Sequence, residues 1–217
     1  MKIGVFDSGI GGYTIYKPLR TQLPQHEYVY LNDKKNNPYS EKSVQDLQKI
    51  CHANVQSLID QNCQVIVVAC NTATIICLEY LRRSFPKIKF VGTIPAVKPA
   101  SQLLPAGSHV LVMATKNTVN SQYLHDLVEP YQTKTKFSFL GSTKLVELIE
   151  ADDQPGIKRH LEQILSPYHQ DKLAGIVFGC THFPLIKEQI KQILDYQPRF
   201  FDSAQGVIDQ LQRVINK

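Results

Sequence analysis

Short runs rich in Val and Ile alternate along the chain with longer segments of helical periodicity, and this alternation limits the fold more than any other feature. The run Val65 to Val68 is apolar at every position, which is typical of a strand covered by helices on both faces. A chain in which strands and helices alternate in this way forms parallel sheets. We therefore predict a protein of the α/β class.

Eight strands are predicted, in two series of four. The first series covers residues 2–6, 28–31, 65–69 and 89–91, and the second covers residues 109–113, 136–140, 175–178 and 199–201. Helices are predicted, among others, over residues 43–61, 74–84, 121–129, 157–166 and 185–195.

The second series repeats the spacing of the first. Thr115 follows Asp7, and Cys180 follows Cys70, by nearly the same number of residues. The repeat favours two similar open α/β lobes, each with one cysteine at a strand end. A coincidence between regular α/β units is the alternative. If the lobes are related by a pseudo-two-fold axis and face a central cleft, the two cysteines lie on opposite walls of it.

Composition excludes several classes of protein. The 217 residues are 43% hydrophobic and 20% charged, which is typical of a globular chain. The apolar runs fall far short of the ~20 residues that a membrane helix needs, and Asp7 interrupts the first of them too early for a secretory signal. We therefore expect a soluble, intracellular protein with no membrane partner.

The cysteines and the basic residues exclude two further classes of site. The five cysteines are odd in number and contain no CxxC pair, so neither a disulfide framework nor a zinc knuckle is expected. The net charge is +5, with an acid-free basic stretch over residues 80–100. Aromatic residues do not alternate with these cations as stacking platforms, so nucleic acid is not expected as a partner.

The segment Asp7-Ser8-Gly9-Ile10-Gly11-Gly12 follows the first strand at the sheet edge where ligands bind in open parallel sheets. Its glycines allow backbone amides to approach an anion. The spacing matches neither a dinucleotide fingerprint nor a P-loop. A simple strand-to-helix turn is the alternative interpretation of this segment.

Two cysteines also stand at strand ends, and each is followed by a hydroxyl or amide residue: Cys70 in Ala-Cys-Asn-Thr-Ala and Cys180 in Gly-Cys-Thr-His. A helix N-terminus at such a position favours the thiolate. Cys51, Cys63 and Cys77 are instead predicted to be small buried hydrophobes.

A reaction that removes a proton from one face of a carbon and returns one to the other face needs two bases, and two equivalent thiols have that symmetry. Racemisation is such a reaction. Glu150 ends an apolar stretch and is either a buried acid or an exposed helix residue. A cysteine hydrolase with one nucleophile is the alternative from another class, and a binding protein without turnover is a third.

Taken together, these motifs resemble bacterial glutamate racemases. The resemblance rests on the segment starting at Asp7, on Pro38-Tyr39 followed by Glu41-Lys42-Ser43, on Ala-Cys-Asn-Thr-Ala and on Gly-Cys-Thr-His-Phe-Pro. It extends over nearly the whole chain and includes Gly92-Thr93-Ile94-Pro95-Ala96, Ala114-Thr115 with Thr118, and Leu140-Gly141-Ser142. A related racemase that acts on aspartate or another small acid is the runner-up.

The resemblance implies a cofactor-independent and metal-independent isomerase that supplies D-glutamate for peptidoglycan, and hence for cell-wall biogenesis and cell shape. The partner is the small molecule glutamate, and a homodimer is an assembly to be tested. The implied lobes are residues 1–93 with 204–217, and residues 94–203.

The resemblance also assigns roles to residues. Cys70, assisted by Asp7, takes the α-proton of D-glutamate, and Cys180, assisted by Glu150 and His182, takes that of L-glutamate. The residues implied to hold the substrate are Asp7, Ser8, Pro38, Tyr39, Ser40, Asn71, Thr72, Thr115, Thr118, Thr181 and His182. Ser40 and Asn117 depart from the family pattern, since each stands where a glycine is usual.

Overall fold

The computed structural model describes residues 1–216 and contains two four-stranded parallel sheets. The first has the order β2-β1-β3-β4 and consists of β1 (Lys2–Asp7), β2 (Glu27–Asn32), β3 (Val65–Val68) and β4 (Lys89–Gly92). The second has the order β6-β5-β7-β8 and consists of β5 (His109–Ala114), β6 (Lys136–Gly141), β7 (Gly175–Phe178) and β8 (Arg199–Phe201).

The two sheets are built alike, strand for strand. β1 pairs with β3 from Ile3–Val65 to Phe6–Val68, and β5 pairs with β7 in the same way from Val110–Gly175 to Met113–Phe178. The prediction of an α/β protein with two similar parallel-sheet lobes is confirmed. The spacing repeat in the sequence therefore reflects a repeat in topology.

The described residues contain ten α-helices, nine between strands and one after the last strand. They are α1 (Tyr13–Gln22), α2 (Val44–Asp60), α3 (Asn71–Ser84), α4 (Val97–Leu103), α5 (Lys116–Val119), α6 (Gln122–Val128), α7 (Lys144–Glu150), α8 (Gln154–Leu165), α9 (Lys187–Leu194) and α10 (Ala204–Ile215). None of the described helices is long and apolar enough to cross a membrane.

Both faces of the first sheet are covered, as its apolar strands predict. Ile3 and Val5 pack on one face with α1 and α10, whereas Phe6 packs on the other with α2 and α3. Cys51, Cys63 and Cys77 are all buried, which confirms them as core cysteines. The hydrogen bond with the Cys77 thiol, together with burial, raises the pKa of Cys51 well above its ordinary value.

The chain forms two compact units. One contains Met1–Ile94 together with the segment from Ser203 onward, and the other is Pro95–Asp202. The last helix, α10, thus packs with the first sheet, where Lys89 Nζ also donates to the Val214 carbonyl at 2.9 Å. The division into domains at residues 93/94 and 203/204 stays a prediction.

Candidate active site

Cys70 lies in the first unit between the end of β3 and the start of α3, and it is 6% exposed. It has extended backbone and is the N-cap residue of α3, so its sulfur stands beside the first turn of that helix. Its thiol donates a long hydrogen bond, 3.9 Å, to the Ser8 hydroxyl. Cys70 and Ser8 therefore meet although they lie on different strand ends.

Asp7 ends β1 and is completely buried. Its Oδ2 accepts hydrogen bonds from the amides of Gly9 at 3.1 Å and Gly12 at 2.8 Å. A Cβ at position 12 would lie 2.5 Å from the Tyr30 hydroxyl and against the Cβ of Asp7. The main chain at position 12 can therefore come this close to Asp7 and Tyr30 only because the residue is glycine. The glycine-rich segment thus holds an anion, and that anion is the chain's own carboxylate.

Tyr39 stands in a short 3-10 turn, Tyr39–Glu41, and only 1% of it is exposed. Its hydroxyl donates to Asp33 Oδ2 at 2.7 Å and accepts from Asn54 Nδ2 at 2.8 Å. Burial and the neighbouring Asp33 raise the pKa of Tyr39 far above its ordinary value. The hydroxyl is thus hydrogen-bonded within the protein, so a ligand at Tyr39 would contact its main chain.

The loop that carries Pro38 and Tyr39 is tied to the end of β1. The Asp33 amide donates to the Asp7 carbonyl at 2.9 Å, and Asn37 Nδ2 donates to the Ser8 carbonyl at 2.9 Å. Asp33 was not among the residues predicted from the sequence, although it follows β2 at the same edge of the sheet as the other strand-end residues. That position is the signal that could have identified it.

The remaining predicted residues of the first unit are also buried. Ser40 is 8% exposed within its 3-10 turn, and Thr72 is 4% exposed in the first turn of α3. Asn71 Nδ2 donates to the Thr93 carbonyl at 3.2 Å, whereas its Oδ1 is buried with no hydrogen-bond partner among the described residues. An unsatisfied buried acceptor beside Cys70 is suited to a ligand that donates hydrogen bonds.

Cys180 occupies the equivalent position in the second unit, after β7, and is likewise 6% exposed. Its sulfur lies 3.8 Å from Nδ1 of His182. Nε2 of that ring lies 2.6 Å from Oε1 of Glu150, the last residue of α7. Thiol, imidazole and carboxylate are therefore connected in one series of hydrogen bonds.

The sequence allowed Glu150 to be either a buried acid or an exposed helix residue, and the structure shows the buried acid. Its side chain is only 10% exposed, and that of its partner His182 only 2%. An ionised carboxylate only accepts hydrogen bonds, so it places a proton on Nε2. In the neutral ring, Nδ1 then carries the lone pair that faces the Cys180 sulfur. His182 is thereby arranged to accept the proton of the thiol.

Three predicted threonines of the second unit lie shortly after β5 or β7, and each is at most 5% exposed. Thr115 is the N-cap of α5, and its hydroxyl accepts from the Thr118 amide at 3.4 Å and donates to the Thr118 hydroxyl at 3.1 Å. Thr181 directly follows Cys180. Asn117 lies inside α5 with no positive φ, so glycine is not required there.

No group of three or more His, Cys, Asp or Glu side chains among residues 1–216 is arranged to hold a metal ion.

The predicted site residues form two sets, one in each unit. Each set combines a strand-end thiol with buried acid, hydroxyl or imidazole groups.

Comparison with known proteins agrees with this arrangement. The family model of Asp/Glu/hydantoin racemases matches residues 14–211. A glutamate racemase of Clostridium perfringens is 37% identical over 97% of this chain and 82% of its own length.

Solved structures are similar as well. Escherichia coli glutamate racemase in complex with L-glutamate and the activator UDP-MurNAc-Ala has a TM-score of 0.90 at 34% identity, over 99% of this chain and 82% of that one. The Francisella tularensis glutamate racemase in complex with D-glutamate has a TM-score of 0.79 at 30% identity, over 99% and 81%.

Proposed function

The chain belongs to the Asp/Glu/hydantoin racemase family, and on this basis we propose that it interconverts L- and D-glutamate without a cofactor. The full-length similarity to glutamate racemases supports the activity. The L- and D-glutamate bound to two solved relatives support the choice of substrate. The product D-glutamate supplies peptidoglycan synthesis in the cytoplasm.

One observation carries the proposal: Cys70 and Cys180 occupy equivalent positions in two lobes of the same topology. A racemase needs a base for each face of the substrate α-carbon. In the proposed mechanism Cys70 removes the α-proton of D-glutamate and Cys180 removes that of L-glutamate. The opposite thiol then returns a proton to the carbanion.

The neighbours of each sulfur supply the proton chemistry. Unperturbed thiols are only ~3% ionised at pH 7, so each needs a group that takes its proton. On the L-glutamate side His182 takes the proton of Cys180, and Glu150 stabilises the imidazolium that forms. On the D-glutamate side the buried carboxylate of Asp7 assists Cys70.

Substrate is held, in this proposal, by the polar groups that surround the two thiols. The buried acceptor of Asn71 is suited to the substrate ammonium group, and the hydroxyl residues are suited to its carboxylates. The proposed set of binding residues is Asp7, Ser8, Pro38, Tyr39, Ser40, Asn71, Thr72, Thr115, Thr118, Thr181 and His182. Tyr39 contributes its main chain, because its hydroxyl is bound to Asp33.

The test is a coupled assay for D-glutamate formed from L-glutamate, repeated with a panel of other acids. We expect turnover with both glutamate enantiomers and none with aspartate. A preference for aspartate would move the chain to another branch of the family. A covalent adduct on one cysteine, with the other dispensable, would favour the hydrolase.

Independence from cofactors is tested in the same assay. Enzyme dialysed against a chelator is expected to keep its full rate. Activity that returns only with added metal or pyridoxal phosphate would contradict the proposal. Sedimentation of the same preparation decides whether the chain forms a homodimer.

A further inference from the structure

Tyr30 has no assigned role in the site, yet its hydroxyl reaches the turn that carries Asp7. It lies on β2 and pairs with Val5 on β1, two residues before Asp7. The Tyr30 hydroxyl donates to the Gly9 carbonyl at 2.9 Å. The ring is half-buried and packs against Tyr13 and Tyr16, with centroids 4.5 and 4.8 Å away.

Gly9 is therefore held on both sides. Its carbonyl accepts from Tyr30, while its amide donates to Oδ2 of Asp7 at 3.1 Å. The absence of a side chain at Gly12 lets the Tyr30 hydroxyl come close to Asp7, because a Cβ there would meet both residues. The tyrosine hydroxyl thus closes the turn around the carboxylate.

We infer that Tyr30 is a positioning residue that fixes the orientation of the Asp7 carboxylate through Gly9. This inference rests on the proposed racemase function, in which Asp7 assists Cys70. Tyr30 itself takes no proton. Without its hydroxyl the Gly9 carbonyl loses a donor and the turn relaxes, so proton transfer at Cys70 is slowed while transfer at Cys180 is not.

Tyr28 offers a matched control on the same strand. Since side chains alternate along a strand, Tyr28 and Tyr30 lie on the same face. Both rings pack against Tyr16, but the Tyr28 hydroxyl donates to the carbonyls of Leu19 at 3.2 Å and Leu23 at 3.1 Å. A Tyr28→Phe change removes hydrogen bonds at the end of α1 and leaves the Asp7 turn intact.

The experiment compares Tyr30→Phe, Tyr28→Phe and wild type with D- and L-glutamate deuterated at the α-carbon. We expect Tyr30→Phe to lower kcat/KM by about three- to tenfold, the effect of one hydrogen bond. The primary isotope effect should be larger than in wild type with D-glutamate as substrate and smaller with L-glutamate. The reason is that proton transfer at Cys70 becomes more rate-limiting in both directions. Tyr28→Phe should retain the wild-type isotope effects.

The two isotope effects come from one preparation and do not depend on the fraction of protein that is folded. Isotope effects of Tyr30→Phe that match wild type from both enantiomers would overturn the inference. The same holds if Tyr28→Phe shifts them equally, because the effect would then be one of general packing. Absence of turnover in wild type would instead contradict the proposed function itself.

Discussion

Nε2 of His182 lies 2.6 Å from Oε1 of Glu150, a contact between the residue two positions after Cys180 and the last residue of α7. Both side chains are almost completely buried. A charge-assisted hydrogen bond of this length is among the strong ones in proteins. It fixes both the orientation and the tautomer of the imidazole that faces the Cys180 sulfur.

Replacing Glu150 by Gln should therefore weaken proton transfer at Cys180. The variant keeps the shape of the side chain but loses the charge that stabilises the imidazolium, so we expect kcat/KM to fall about 10- to 100-fold. The primary isotope effect should be larger than in wild type with L-glutamate as substrate and smaller with D-glutamate. Glu147→Gln is the control, since Glu147 lies on the same helix but pairs with Lys144 at the surface. A similar loss of kcat/KM in that variant would contradict the role of Glu150 in proton transfer.

Cys70→Ser and Cys180→Ser should each abolish racemisation, because either change leaves only one face of the α-carbon with a base. Each variant should still eliminate HX from a β-substituted analogue of one enantiomer, since elimination needs only one proton to be removed. The measurement is product formation from the analogue of each configuration. Cys63→Ser, a change in the core, should keep racemase activity, whereas wild-type turnover by Cys70→Ser would end the two-base mechanism.

Gly12→Ala should destabilise the protein by about 1–3 kcal/mol, because the added methyl group overpacks the space between Asp7 and Tyr30. Gly206→Ala is the matched control, since nothing lies within 4 Å of a Cβ at that helical position. That change should stabilise α10 by about 0.5–1 kcal/mol. Urea unfolding followed by circular dichroism measures both, and equal shifts in the two variants would contradict the packing argument.

His160 should make the stability of the second unit depend on pH. Burial, and then the charge of Lys144, lower the pKa of His160 from its ordinary value of 6.5. The Ser142 hydroxyl, which accepts from the Leu145 amide at 3.2 Å, lies 2.9 Å from His160 Nε2. The folded state thus favours the neutral ring.

The sign of the effect follows from linkage. As the pH falls below about 6.5, the unfolded state binds a proton before the folded state does, so stability decreases. Melting temperatures at pH 7.5, 6.5 and 5.5 should decline in wild type and decline less in His160→Gln. Parallel pH profiles for the two proteins would show that His160 is not responsible.

The strands of both sheets can be predicted from local sequence alone. Runs such as Val65–Val68 are apolar at every position, so they can only be central strands covered on both faces, and the structure has them within a residue or two of the predicted bounds. Helix starts were harder. The helix predicted from residue 74 begins at Asn71, because Cys70 itself is the N-cap residue and the polar residues after it already belong to the helix.

The helix predicted over residues 157–166 is Gln154–Leu165, since Asp153 caps it by accepting from the Gly156 amide at 2.9 Å. Capping depends on the geometry of a single residue and has a weaker pattern than a buried strand. Topology, in contrast, was visible as a repeat in spacing. The strand-end cysteines could be found because the carboxyl ends of parallel strands share one edge of a sheet.

The contacts between polar residues depend instead on how the elements pack together. Glu150 fits an exposed or a buried acid equally well in the sequence, and its burial against His182 depends on where α7 packs relative to the end of β7. Tyr39 was predicted as a binding residue, but its hydroxyl is bound to Asp33 and Asn54, which lie in other elements of the chain. Hydrophobic periodicity is a local property that specifies elements, whereas side-chain hydrogen bonds between elements form only once those elements are packed together.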